Sequence, residues 1–124
     1  STGGFTDCLL QHHFKRVYAV DVGRGQLSDR LLKDPRVIVM DKVNAKLPFY
    51  LPETVELIVI DVSFISVRKI LASATQNLAN DGNILALIKP QFEAGKDLVE
   101  KGGVVRKQDV HEKVCVAIGR TIGQ

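Results

Sequence analysis

The chain is 124 residues long, 45% hydrophobic and 25% charged, with a net charge of +3 at pH 7. That suits one globular domain, or part of one, and excludes a low-complexity or disordered chain. No apolar run approaches the roughly 18 residues of a membrane helix, and with neither a basic nor a long apolar opening no secretory leader is expected.

The elements alternate. STGGFTD, from Ser1, is a turn of small residues that enters a helix over residues 5–14, with Phe5, Cys8 and Leu9 on one face. RVYAVDVG (16–23) reads as a buried strand, QLSDRLLKD (26–34) as a short helix stopped by Pro35, and RVIVMD (36–41) as a second strand. A proline-containing loop leads to a third strand in VELIVIDVSF (55–64). VRKILASATQNLAND (67–81) is the clearest helix, ended by Asp81-Gly82. NILALIKP (83–90) is a fourth strand. A polar, glycine-containing stretch with the composition of a mobile flap follows, and residues 109–123 close as a helix with Asp109 as its N-cap. Continuous apolar strands alternating with helices predict a doubly wound α/β fold, a mostly parallel sheet with helices on both faces. Cys8 and Cys115 lack CxxC spacing, so buried free thiols are expected, a usage that favours the cytoplasm. His12, His13 and His111 have no metal spacing, and no metal site is expected; they suit surface or helix-capping work.

Sheets of this kind bind ligands at the carboxyl ends of their strands, and four features fall near there. The glycines of STGG allow close approach of backbone to a ligand, although two glycines alone say only that the chain turns. Asp21 ends YAVD, where a carboxylate can accept hydrogen bonds from ribose hydroxyls or merely cap a loop. Asp61 ends IVID; a buried carboxylate is costly and needs a partner. Lys89 ends LALIK, just before Pro90. If the third and fourth strands are neighbours, Asp61 and Lys89 meet. A lysine serves as a base when a nearby cation favours its neutral form, so an acid alone is not enough and a second cation would be needed.

STGGFTDCLLQ, VYAVDVGRGQL, DPRV, DVSFIS, LIKPQFEAG and KGGVVR, in that order, resemble the TlyA family. These are FtsJ-like S-adenosylmethionine-dependent RNA methyltransferases, often named hemolysin A. The resemblance covers nearly the whole chain. It implies a Rossmann-like methyltransferase fold and 2′-O-methylation of ribose in ribosomal RNA, with ribosomal subunits as partners. It further implies that residues 1–124 are a partial methyltransferase domain starting inside the family's DxGxSTGGFTD motif. The first strand, the C-terminal strand pair and an N-terminal S4 RNA-binding domain would lie outside this chain. Of the family's Lys-Asp-Lys-Glu catalytic set, Asp61 and Lys89 match the middle two; the first Lys would fall before Ser1 and the Glu after Gln124. Lys89 would take the hydroxyl proton, made neutral by the other lysine, and Asp61 would orient it. Ser1, Gly3, Gly4, Asp21, Asp41, Asn44 and Asp61 would hold the methyl donor. Gly3 and Gly4 would lie along its methionine part, Asp21 at its ribose, and Asp41 and Asn44 near its adenine. Arg24, Lys96, Lys101 and Arg106, with Lys107, could contact RNA phosphates, although a solvated loop surface is the plain alternative.

Three other functions compete with this reading. A nicotinamide-dependent dehydrogenase would suit the glycine turn and Asp21 but leaves Asp61 and Lys89 unexplained, and GxGxxG is absent. A membrane-active hemolysin would need an apolar span that the sequence does not offer. A catalytically incomplete fragment could bind cofactor or RNA only.

Overall fold

The computed structural model describes residues 2–122. They fall into two compact units, one ending at Phe49 and the other beginning at Tyr50. In the first, helix α1 (Gly4–Gln11) is followed by β1 (Val17–Val20), the single-turn helix α2 (Asp29–Leu32) and β2 (Val37–Met40). β1 and β2 pair in parallel, Val17 opposite Val37 and Val20 opposite Met40. Parallel neighbours require a crossover, and the 21–36 segment with α2 supplies it. Leu10, Val17 and Leu31 form the buried cluster of this unit, with Leu9, Phe14, Leu27 and Val37 packed against it. Each such side chain removed from water stabilises by about 1.5–3 kcal/mol.

The second unit repeats the pattern. β3 (Val55–Ile60), helix α3 (Arg68–Thr75) and β4 (Leu78–Ala86) form a strand-helix-strand crossover, again with parallel strands, Ile58 opposite Ile84 and Ile60 opposite Ala86. The one-turn helix α4 (Pro90–Glu93), a 3-10 turn (Lys96–Leu98) and helix α5 (Gln108–Ile122) follow. α5 buries Val110, Val114 and Ile118, one per turn, and packs with α3 and α4. α3 buries Ile70, Leu71, Ser73 and Ala74.

The α/β class and the parallel strands agree with the sequence reading, but the strands divide into two pairs rather than one sheet among the described residues. Each crossover helix joins two strands that become neighbours. The 41–54 connection contains Pro48 and Pro52 and no helix. Ile38, Val39, Leu85 and Leu87 are exposed apolar side chains on or beside these strands, where full cover was expected.

Other boundaries moved as well. The helix expected over 67–81 stops at Thr75, because Asn77 is held by tertiary bonds. Its Oδ1 accepts from the Leu51 N–H at 2.8 Å and its carbonyl from the Val55 N–H at 2.9 Å. Asp81 and Gly82 therefore lie inside β4, at a register irregularity opposite Val55–Leu57. α5 starts at Gln108, which places Asp109 within its first turn rather than at the cap. Both cysteines are free, as expected, but exposed: Cys8 and Cys115 lie on the outer faces of α1 and α5. His12 caps the end of α1 through its backbone N–H, and the His111 ring lies 2.6 Å from the Val105 carbonyl oxygen.

Candidate active site

The carboxyl ends of β3 and β4 bring Asp61 and Lys89 together. Asp61 is the first residue past Ile60, and Lys89 is three past Ala86, the residue opposite Ile60. The Lys89 Nζ lies 2.7 Å from Asp61 Oδ1 and donates to Ser63 Oγ at 3.0 Å. The side chains are 23% and 37% exposed, respectively. Asp61 was expected to be buried; the turn after β3 instead leaves its carboxylate partly open to solvent. Asp61 fixes the position of the lysine amine, and Ser63 takes a second of its three donor directions.

The two segments carrying this pair are laced further along. Phe64 packs on Phe92 with ring centroids 5.1 Å apart. Glu93 accepts from Ser66 Oγ at 2.5 Å and from the Val67 N–H at 2.6 Å. Phe64 is 91% exposed and has a φ of 63°, in the left-handed region that non-glycine residues seldom occupy. Sequence reasoning did not single out Ser63, Phe64 or Glu93. The signal was available in DVSFIS and KPQFE, where aromatic and acidic residues share loops with Asp61 and Lys89.

In the first unit, the ends of β1 and β2 are tied to each other. Asp21 Oδ1 accepts from the Gly23 N–H at 2.8 Å, and Asp41 Oδ2 accepts from the Gly25 N–H at 3.0 Å. The Lys42 N–H donates to the Gly23 carbonyl and the Val43 N–H to the Asp21 carbonyl, both at 3.0 Å. Two acids at the ends of adjacent parallel strands thus stand on a fixed loop. Asn44 Oδ1 accepts from the Lys46 N–H at 3.1 Å, a local turn that leaves the amide NH2 outside that bond.

The two glycines before α1 differ. Gly3 is buried with a φ of 104°, and a Cβ there would fall 2.3 Å from Leu31 Cδ1 and 2.7 Å from Leu27 Cδ2. Its missing side chain is needed for packing. A Cβ on Gly4 would meet nothing within 4 Å, so its missing side chain leaves open space at the helix start. Ser1 lies outside the described residues. An open glycine, a helix N-terminus and two strand-end acids are the donor and acceptor set that a nucleoside bearing an amino-acid tail requires, so the residues present fit S-adenosylmethionine.

The basic residues are scattered. Arg24 is exposed in the first unit. Lys96 opens the 3-10 turn, and Lys101 lies at the tip of a tight turn closed by the Glu100–Val104 bridge, beside Gly102 and Gly103. Arg106 stands 3.7 Å from Glu100. No group of three or more metal-ligating side chains occurs among the described residues, and no helix there is long and apolar enough to cross a membrane.

Parallel strand-helix-strand units, with an acid and a lysine paired at the ends of adjacent strands, mark the chain as part of an α/β fold. The chain belongs to the FtsJ-like methyltransferase family, whose model matches residues 1–122. It is 47% identical over 117 residues to Hemolysin A of Brachyspira hyodysenteriae, covering 92% of this chain and 49% of that protein. It is 42% identical over 122 residues to the 16S/23S rRNA (cytidine-2′-O)-methyltransferase TlyA of Mycobacterium tuberculosis, covering 97% of this chain and 46% of that protein. A solved structure of a Lactococcus lactis protein bearing a provisional hemolysin label superposes with a TM-score of 0.92 at 41% identity, covering 98% of this chain and 59% of that one. The resemblance to TlyA proteins drawn from the motifs is thereby borne out. The chain spans about half the length of the curated relatives it matches, between 42% and 49%.

Proposed function

We propose that the protein containing this chain transfers a methyl group from S-adenosylmethionine to a ribose 2′-hydroxyl of ribosomal RNA. The observation that carries this reading is the Asp61–Lys89 pair, 2.7 Å apart at the ends of neighbouring parallel strands. When bound, S-adenosylmethionine supplies an already activated methyl on a sulfonium. The protein's task is then to place the hydroxyl in line and to remove its proton. Lys89 Nζ accepts that proton as a neutral amine, with Asp61 and Ser63 holding the nitrogen in place. The second lysine implied by the family would supply the like charge that favours the neutral form. Asp21 holds the ribose of the methyl donor, Asp41 and Asn44 its adenine edge, and Gly4 leaves room for its methionine portion.

Phe64 offers an exposed aromatic face beside the reacting pair. A ribose hydroxyl is most accessible on an unstacked nucleotide, and proteins hold such bases on aromatic side chains. Lys96, Lys101 and Arg106 add phosphate contacts that strengthen binding without reading sequence. An activity on ribosomal RNA supports a cytoplasmic location.

Full-length protein incubated with methyl-labelled S-adenosylmethionine and ribosomal subunits tests the proposal. Label is expected in RNA, and Lys89→Ala is expected to lower its rate of appearance by about 10²–10⁴-fold, the usual worth of a positioned base. Absence of label from the RNA, or a Lys89→Ala protein as fast as wild type, would contradict it.

A further inference from the structure

Glu93 stands out among the groups not used by the proposed mechanism. Its side chain is only 4% exposed. Burying a carboxylate is costly unless donors surround it, and here they do. Ser66 Oγ and the Val67 N–H point at its two oxygens at 2.5 and 2.6 Å, and Arg68 Nε lies 3.7 Å from Oε2. Ser66 Oγ in turn stands 3.3 Å from the Arg68 N–H. Glu93 therefore serves the N-terminus of α3 from 26 residues away along the chain, although capping is usually done by the residue beside the helix.

The consequence lies at the other end of the same two segments. Residues 61–67 leave β3, and residues 89–93 leave β4. At the strand ends they are joined by Asp61 and Lys89, in the middle by Phe64 and Phe92, and at the far end by Ser66, Val67 and Glu93. Glu93 is one helical turn beyond Lys89, and Pro90 at the start of that turn restricts its backbone. A bond at the far end fixes the direction in which both segments leave their strands.

We propose that Glu93 is a positioning residue for methyl transfer: by clamping Ser66 and Val67 it holds the loop that carries Asp61, Ser63 and Phe64 in register with Lys89. The proposal rests on Asp61 and Lys89 being the reacting pair.

Two readouts in the full-length protein keep the two ideas apart. One is steady-state methyl transfer to ribosomal subunits. The other is carbon-13 NMR of the Lys89 ε-carbon and the Asp61 carboxyl. Glu93→Ala is expected to lower kcat by about tenfold or more, since small misplacements of reacting groups are costly. The KM for the methyl donor stays within about threefold, because uniform binding is untouched, and both resonances move. Glu93→Gln keeps an amide oxygen for the Val67 N–H and is expected to recover much of the rate. Wild-type kcat in Glu93→Ala, a loss confined to KM, or unmoved resonances would overturn the proposal. If wild type methylates no RNA, the functional reading fails and the resonances alone decide on Glu93. Should Glu93→Ala not fold, Ser66→Ala removes one of the two anchors. A lower kcat with displaced resonances supports the clamp, and wild-type behaviour in both overturns it.

Discussion

Gly3 and Gly4 are adjacent, and alanine at each should fail in a different way. At Gly3 an added Cβ lies 2.3 Å from Leu31 Cδ1 and 2.7 Å from Leu27 Cδ2. Leu31 is itself 3% exposed, so it cannot swing into solvent without opening the cluster it forms with Leu10 and Val17. Overpacking of this kind costs about 1–3 kcal/mol. The φ of 104° adds about 1–2 kcal/mol for a residue with a side chain. Gly3→Ala is therefore expected to destabilise by about 2–5 kcal/mol. Gly4 is the first residue of α1 and has open space around its Cβ position, so alanine there should be neutral or stabilise by up to about 1 kcal/mol. Its expected cost falls on the methyl donor: the new methyl group fills the space assigned to the cofactor, and affinity drops by about tenfold or more, as for a ligand displaced from its closest approach. Urea unfolding of the two full-length variants and calorimetric titration with S-adenosylmethionine read both effects. A Gly3→Ala protein within about 0.5 kcal/mol of wild type, the range of an inert substitution, would refute the packing account. Unchanged cofactor affinity in Gly4→Ala would refute the cradle.

Asp61→Asn should abolish most methyl transfer while changing stability by less than about 1 kcal/mol, because the Asp61–Lys89 pair is partly exposed and such pairs contribute little to folding; kcat and thermal unfolding measured together separate the two. The Arg36 side chain and backbone N–H hold the Asp34 carboxyl down to about 2. The stability from this pair is therefore fully present above the ordinary value of 3.8 and is lost as pH falls through about 2. Carbon-13 NMR titration should show Arg36→Met returning Asp34 towards 3.8. Replacing Lys96 or Lys101 by alanine should weaken RNA binding evenly across sequences and reduce the slope of log affinity against log salt by about 0.7–0.9 for each phosphate the lysine neutralises; an unchanged slope would mean that the residue is only a solvated loop lysine.

The strands were legible because each is a short apolar run ending in a charged or turn residue, as in VYAVD and VIVMD. The acid–lysine meeting was legible for the same reason: neighbouring parallel strands bring their ends together, so residues 28 positions apart could be paired once the crossover was recognised. What could not be read was set by tertiary contacts. Asn77 looks like an ordinary polar residue late in a helix, yet its bonds to Leu51 and Val55 end α3 before β4 begins. Glu93 looks like a surface glutamate and is buried because it caps a distant helix. Cys8 and Cys115 look like core residues by type, but the face each occupies is decided by which side of its helix meets the core. The two glycines of STGG look alike in sequence, and only the packing of Leu27 and Leu31 tells them apart.

The central claim is that Asp61 and Lys89 activate a ribose hydroxyl, and the position of the transferred methyl tests it most directly. Ribosomal RNA methylated by the full-length protein would be digested to nucleosides and resolved by mass spectrometry. The account predicts a single class of product carrying the methyl on the ribose 2′-oxygen, absent when Lys89 is replaced by alanine. A methyl on a base, or a ribose methyl that persists in Lys89→Ala, would contradict it.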